Sequence, residues 1–252
     1  MSDELKIDRN GRVTVFTLNR PERRNAVTQA LADELEAAVA AFDADNNQRV
    51  LILTGAGDKA FSSGADLLEV RDVADEGIKL PTAPDQDMMG LGRCEKPVIA
   101  AINGLAVGAG LEMALCCDIR MAADTAWFGL PEVERGFLAG VAAVTLPRLM
   151  PIGAGMDLML TGGRPSAADA HRLGLVQRLL PAGELLDHAI ETADRMSRFS
   201  QSALWGTKQV IRQWRNRGLD ESHEFYRHVV NRVSGSGDVA EGLKAFAEKR
   251  AP

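Results

Sequence analysis

Two glutamates stand out because each lies where a charged side chain is costly. Glu112 sits inside a run of Leu, Met, Ala and Cys, and Glu132 follows a proline, whose ring restricts the local backbone. Two carboxyl groups in one pocket shift each other's pKa, so one can stay protonated as an acid while the other acts as a base. The spacing leaves alternatives open: Glu112 ion-paired or on a helix surface, and Glu132 paired with Arg135. Glu134 fits a solvated position better than either.

Two turns rich in small residues are the second candidate for chemistry, at residues 62–66 and 104–110. Glycine and alanine allow a ligand to approach the backbone closely. If one N–H group from each turn points at the same oxygen, they form an oxyanion hole, which acyl chemistry needs to hold developing charge. Close packing without any ligand is the alternative.

A mixed α/β core must position these residues. Alternating or continuous apolar runs predict strands. The predicted strands are 12–18, 49–54, 97–102, 119–123 and 126–128. Thr28 is expected to cap a helix with an apolar stripe, formed by Leu31, Leu35, Val39 and Phe42. A second helix is predicted over 111–117, so strands alternate with helices.

The C-terminal part reads as helical, beginning with a helix capped at Ser166. Further helices are predicted at 183–198, 202–216 and 219–233, with a last one opening at Asp238. The apolar positions in this part exceed what a helical hairpin can bury, so it either folds onto the core or forms a subunit interface. Earlier in the chain, the charged residues 71–95 predict a mobile, mostly surface segment with some helix.

One stretch matches the letters of a dinucleotide-binding motif but lacks the helix that the motif needs. Residues 55–60, GAGDKA, fit G-x-G-x-x-A directly after a strand, with an acidic residue about 20 positions further on. The motif requires a helix that opens within the glycines, so that its N-terminus meets the pyrophosphate. The residues that follow are Phe61-Ser-Ser-Gly64, which favour a loop, so we reject this reading.

Composition excludes several other classes. The 252 residues carry a net charge of −6, which gives no general attraction to nucleic acid or anionic lipid. The four histidines lack metal-binding spacing, and three cysteines are too few for a disulfide scaffold. No secretory signal and no run of roughly 20 apolar residues is seen. We therefore expect no metal, no membrane insertion, reduced cysteines and a cytoplasmic location.

Several ordered motifs resemble those of the crotonase superfamily, and together they cover nearly the whole chain. They are 18–26 (LNRPERRNA), 60–69 (AFSSGADLLE), 96–118 (KPVIAAINGLAVGAGLEMALCCD), 128–133 (FGLPEV) and 160–166 (LTGGRPS). The resemblance implies a spiral of ββα units over 1–195 and a helical trimerisation region over 196–252. Trimers of this superfamily commonly pair into hexamers.

The resemblance also implies roles for residues. The backbone N–H groups of Ala65 and Ala109 would form the oxyanion hole for an acyl-CoA thioester, and Glu112 and Glu132 would be the two catalytic glutamates of an enoyl-CoA hydratase. The implied substrate and CoA contacts are Arg24, Ala26, Ala65, Asp66, Leu67, Leu68 and Gly108. No cofactor is expected, because CoA is part of the substrate.

The sequence departs from the family pattern at two places. Leu68 stands where hydratases often carry a lysine, and residues 137–148 replace a glycine-rich stretch with alanines. The predicted activity is hydration of an enoyl-CoA, or the reverse dehydration. An isomerase or hydratase-lyase of the same superfamily, and a non-catalytic acyl-CoA-binding module, are the alternatives. The acyl group stays open.

Overall fold

The computed structural model describes residues 3–69, 87–216 and 238–250. Its strands are β1 (Leu5–Asn10), β2 (Val13–Leu18), β3 (Val50–Gly55), β4 (Ala60–Ser62), β5 (Val98–Ile102), β6 (Leu105–Val107), β7 (Ile119–Ala123), β8 (Phe128–Gly129) and β9 (Arg178–Leu180). They form a six-stranded sheet in the order β1-β2-β3-β5-β7-β9 and a three-stranded sheet in the order β4-β6-β8. Only the β1–β2 pair is antiparallel in the six-stranded sheet.

The central strands are apolar along their whole length because both faces of the sheet are covered. Every residue of β3 and β5 is buried, as the apolar runs predicted. Strand β1 was not predicted, because only its Leu5 is buried and the other five residues are exposed. The three-residue strands β4, β6 and β9 were also missed, since such short runs carry no period.

The helices are α1 (Gln29–Ala44), α2 (Ala109–Cys116), α3 (Gly140–Leu149), α4 (Ile152–Thr161), α5 (Ala167–Arg172), α6 (Leu185–Ser197), α7 (Gln201–Asn216) and α8 (Asp238–Ala247). Helix α1 begins as predicted, with the Thr28 hydroxyl accepting from the Leu31 N–H, and its predicted apolar stripe is buried. Ser166 caps α5 in the same way. Helix α2 begins at Ala109, two residues earlier than predicted.

Helices α6 and α7 join the core by different means. Helix α6 packs across strands β2, β3, β5 and β7. Helix α7 is held by polar contacts: the Lys208 ammonium lies 2.7 Å from the Asp118 carboxylate and donates to the Lys96 carbonyl. The α7 segment therefore folds onto the core, and the domain boundary at 195 stays a prediction.

Three further sequence predictions concern residues 71–95, 219–233 and 55–60. The prediction of a mobile surface segment is wrong for residues 87–95, because Leu91 and Cys94 are fully buried against the core. Residues 70–86 lie outside the described residues, as does the helix predicted at 219–233. Strand β4 follows the glycines of residues 55–60, where the dinucleotide motif would require a helix. The loop predicted at Phe61–Gly64 is wrong for Phe61 and Ser62, which belong to β4.

The cysteines Cys94, Cys116 and Cys117 are buried and free, as expected. Within the described ranges, no helix combines the length and the apolar character needed to cross a membrane.

Candidate active site

Three parallel strands deliver the candidate site residues to one edge of a sheet. Strands β4, β6 and β8 are neighbours and run parallel, so their carboxyl ends lie together. Residues 63–66 follow β4, Gly108 and Ala109 follow β6, and Glu132 follows β8. The carboxyl edge of parallel strands is where ligands bind in open α/β sheets. Topology thus brings together residues far apart in sequence.

The first turn directs the Ala65 N–H outward through one isolated bridge. The Val27 N–H donates to the Gly64 carbonyl at 2.8 Å, and the Asp66 N–H donates to the Val27 carbonyl at 2.8 Å. Because successive peptide groups of an extended chain point to opposite sides, the N–H of Ala65 itself faces away from Val27. Ala65 is exposed, so this donor is open to a ligand.

The second turn brings another donor beside it. Gly108 has a φ of 56°, which side chains rarely adopt, and α2 begins immediately after it at Ala109. A first-turn N–H has no acceptor within its own helix. A Cβ placed on Gly64 would lie 3.2 Å from the Ala109 nitrogen, so the two turns are in contact. Within the part of the chain that the structure describes, neither the Ala65 nor the Ala109 N–H donates a hydrogen bond.

Glu112 lies on α2, one turn beyond Ala109, with only 8% of its surface exposed. Its Oε1 accepts from the Ala142 N–H at 3.0 Å. That donor is in the first turn of α3, where N–H groups are otherwise unsatisfied. Burial raises the pKa of Glu112, and the N–H groups of Ala142 and Val141 oppose that rise. A buried carboxylate held by backbone donors excludes the surface reading of this residue.

Glu132 lies in the short 3-10 turn Pro131–Arg135 and points back toward α2. Its Oε1 is 3.0 Å from where a Cβ on Gly108 would stand, and its buried Oε2 has no hydrogen-bond partner. Burial, followed by the nearby charge of Glu112, raises its pKa to about 7. Arg135 lies 4.0 Å from the Glu134 carboxylate, and its charge opposes the rise in the pKa of Glu132. Glu112 and Glu132 are therefore close enough for the charge of one to raise the pKa of the other, and their environments are unequal.

Known proteins are similar to this chain over nearly its whole length. Residues 8–252 match the family model described as Enoyl-CoA hydratase/isomerase. A probable mitochondrial enoyl-CoA hydratase of Dictyostelium discoideum is 36% identical over 250 residues, covering 97% of this chain and 88% of that protein. A carnitinyl-CoA dehydratase of Escherichia coli O157:H7 is 36% identical over 265 residues, covering 100% and 98%.

The chain belongs to the enoyl-CoA hydratase/isomerase family. The resemblance to the crotonase superfamily is confirmed. The crystal structure of a carnitinyl-CoA hydratase from Mycobacterium avium superimposes with a TM-score of 0.88 at 32% identity, covering 100% of this chain and 98% of that one. The predicted fold class, mixed α/β with helices at the C-terminus, is therefore confirmed.

In this family member, the predicted CoA contacts fall into two groups. Arg24 and Leu68 are exposed, and Leu67 is half-buried, so these side chains are available at the surface next to Ala65. Ala26 and Asp66 are buried. The Asp66 carboxylate accepts from the Arg20 guanidinium and from the Leu68 N–H, both at 3.2 Å. Asp66 thus contacts protein groups, and only its neighbours line the open surface.

Two parts of the site were missed by sequence reasoning. The donors to Glu112 are backbone groups of Val141 and Ala142, for which no residue type is a signal. The second part is Arg20, whose guanidinium is half-buried behind the Ala65 turn. An arginine between a buried strand and a proline is a signal that could have been noticed.

Proposed function

We propose that this family member is an enoyl-CoA hydratase, a lyase that adds water across the 2,3 double bond of an enoyl-CoA thioester or removes it. The names of relatives aligned over nearly the full chain support this activity. The observation that carries the mechanism is the unequal environment of two neighbouring carboxyl groups. Glu112 accepts hydrogen bonds from backbone N–H groups at a helix N-terminus, whereas Glu132 has a buried oxygen without a partner.

The oxyanion hole prepares the substrate. The N–H groups of Ala65 and Ala109 donate to the thioester oxygen, which withdraws electrons from the conjugated double bond and makes Cβ electrophilic. The positive end of α2 adds to this effect, since Ala109 is its first residue. Both donors belong to the backbone, so this part of the chemistry does not depend on a titrating side chain.

The two glutamates then move protons in opposite directions. Glu112, whose N–H donors stabilise its carboxylate against the opposing effect of burial, takes a proton from water as the hydroxyl oxygen bonds to Cβ. The electron pair of the double bond moves to the thioester oxygen as an enolate. Glu132, protonated below its pKa of about 7, gives its proton to Cα and restores the thioester. One proton passed from Glu112 to Glu132 resets the pair.

Conservative substitution of each glutamate tests this assignment. Glu112→Gln and Glu132→Gln keep size and shape but cannot exchange protons, so each should lower kcat about 10²–10⁴-fold, the range of general acid–base catalysis. The assay is loss of enoyl-thioester absorbance with crotonyl-CoA. Binding of CoA, measured by calorimetry, should change little. Glu134→Gln is the matched control, two residues from Glu132 but exposed, and should keep full activity.

The assay also separates the alternatives. If the wild-type protein moves the double bond without adding water, as product NMR would show, the isomerase reading replaces ours. If it binds acyl-CoA and turns over none of a series of chain lengths, it is a binding module. Carnitinyl-CoA belongs in that series, because several relatives are named for it.

We infer that the chain forms homotrimers, alone or paired as hexamers. Support comes from apolar side chains that one chain leaves exposed. Ile152, Met156 and Leu160 recur at every fourth position of α4, so they form one face. On α7, Val210 and Ile211 are more than half exposed. Light scattering on the wild type and on Ile211→Glu tests this, because the charge should dissociate an assembly built on α7.

We further propose that catalysis needs no cofactor beyond the CoA of the substrate and that the protein works in the cytoplasm. Among the described residues, no cluster of acidic, cysteine and histidine side chains suits a metal. Dialysis against a chelator should leave kcat unchanged, and cell fractionation tests the location.

A further inference from the structure

The Arg20 side chain braces the turn that carries the Ala65 N–H. Its Nη1 donates to the Ala26 carbonyl at 2.7 Å and to the Asp66 carboxylate at 3.2 Å. Its Nε lies 3.0 Å from the Glu4 carboxylate. Only 14% of the Arg20 side chain and 9% of the Asp66 side chain are exposed. One planar guanidinium thus joins three separate segments, which a lysine ammonium is poorly shaped to do.

These contacts lie on both sides of the bridge that orients Ala65. Ala26 precedes Val27 on one side of the bridge, and Asp66 follows Ala65 on the other. The bridge itself is held by two hydrogen bonds, and two more join the segments on the side before Val27, from the Ser63 N–H to the Arg24 carbonyl and from the Ser62 hydroxyl to the Asn25 carbonyl. On the other side, after Ala65, Arg20 reaches the Asp66 carboxylate. Arg20 fixes both flanks with one group. Asp66 in turn holds the next peptide through the Leu68 N–H.

We propose that Arg20 is a positioning residue for the oxyanion hole: by joining Ala26 to Asp66 it holds the Ala65 N–H toward the thioester oxygen. This rests on the proposed function, since it gives the Ala65 N–H its role. Arg20 does not touch the substrate. Its loss weakens polarisation of the carbonyl, while the exposed side chains beside the turn still bind CoA. The effect therefore falls on kcat more than on affinity.

The variant Arg20→Met tests this proposal through the carbonyl infrared band of a bound thioester, which a general loss of stability does not change. The probe is butyryl-CoA labelled with ¹³C at the thioester carbon, which binds without a double bond to hydrate. Its carbonyl infrared band should shift to lower frequency on binding to wild type and return most of the way in Arg20→Met. With crotonyl-CoA, kcat should fall about 10- to 100-fold, less than the ~10²–10³-fold typical when an oxyanion donor is removed. The Kd for CoA should stay within about threefold.

Two further variants keep the inference falsifiable. Arg20→Lys retains the charge and should fold. It should recover only part of the band shift, because a lysine ammonium cannot donate to Ala26 and Asp66 with the planar geometry of a guanidinium. Lys208→Met is the matched control: it removes another partly buried ion pair, with Asp118, where β7 begins. It should lower the melting temperature and leave both band and kcat at wild-type values.

The outcomes separate the two proposals. A wild-type band in both Arg20 variants overturns the positioning role, whatever happens to stability. A shifted band in wild type that reverts in the variants supports it, even if wild type fails to hydrate any enoyl-CoA and the proposed reaction is wrong. An unshifted wild-type band overturns the oxyanion assignment and the role of Arg20 with it.

Discussion

The two halves of the candidate site are built from different material. The oxyanion half uses backbone N–H groups of Ala65 and Ala109, braced by a dense set of hydrogen bonds. The acid–base half uses side chains of Glu112 and Glu132, which lie on separate elements and owe their properties to burial. The oxyanion half depends on the backbone geometry of its two turns. The acid–base half depends on the residues that bury the two glutamates.

The cover of the acid–base half comes from distant parts of the chain. The first turn of α3 supplies the donors to Glu112. Helix α8, near the C-terminus, packs against the turn Pro131–Arg135 that carries Glu132, with Leu243 and Ala245 buried. The Ala65 turn of the oxyanion half is held mostly by residues within the first 66. A change to shape should therefore disable one half without altering the titration of the other.

Among variants that separate the two halves, the largest expected effect comes from a change of shape at Gly64. A Cβ there would lie 2.8 Å from the Val107 carbonyl oxygen, and the φ of 92° is unfavourable for any side chain. Gly64→Ala should force the two turns apart and lower kcat about 10²–10³-fold with crotonyl-CoA, as for loss of an oxyanion donor. The carboxyl band of Glu132, followed by infrared titration, should still titrate near its wild-type position.

Gly183→Ala is the control for that substitution. A Cβ at Gly183 meets nothing within 4 Å, so activity and stability should be unchanged. If Gly64→Ala keeps a rate within about threefold of wild type, the contact between the turns is not needed for catalysis. If it also moves the titration of Glu132, the two halves are not independent.

A smaller effect is expected on stability, and its dependence on pH comes from the acid–base half alone. Folding raises the pKa of Glu132 from 4.5 to about 7, so the folded state favours the protonated form. That contribution is fully present below about pH 4.5 and is lost as pH rises through 7. Above pH 7, Glu132→Gln should be more stable than wild type by up to about 3 kcal/mol, and near pH 4.5 the two should be equal. Urea unfolding across this range measures the difference.

Two variants check the cause of that effect. Because the charge of Glu112 also raises the pKa of Glu132, the stabilisation by Glu132→Gln should be smaller in a Glu112→Gln background. Glu134→Gln, exposed on the same turn, should show no such pH-dependent gain. A gain of equal size for both residues would mean that net charge, and not burial of Glu132, determines the effect.

The same contrast explains how much the sequence could predict. The buried strands β3 and β5 and the cap of α1 follow from local patterns, and structure confirms them. Strand β1 was missed because it is held by pairing with β2 and not by an apolar face of its own. Residues 87–95 were predicted to lie at the surface because several of them are charged. Leu91 and Cys94 are nevertheless buried, and their burial depends on packing against residues distant in sequence.

In the candidate site, too, local features could be predicted and long-range contacts could not. Glu112 was noticed because a charge in an apolar helix is unusual, and the structure buries it where its charge raises the pKa of Glu132. The sequence could not show that strands β4, β6 and β8 end at the same edge of a sheet, because short parallel strands pair over long sequence distances. The brace by Arg20 and the donors of α3 are tertiary contacts, and they carry no periodic signal.

The smallest expected effect lies outside both halves, at the exposed Leu68. It stands beside Ala65 with 41% of its surface exposed, where a cation could meet a phosphate of CoA. Leu68→Lys should tighten CoA binding only a few-fold, because exposed ion pairs contribute about 0–1 kcal/mol. The gain should shrink as salt is added, which Leu68→Met, a neutral control, should not show. Calorimetry with CoA at low and high ionic strength measures it. Since the phosphates are remote from the reacting carbons, kcat should not change; a changed kcat would mean that position 68 also orients the Ala65 turn, and the brace of that turn would then extend beyond Asp66.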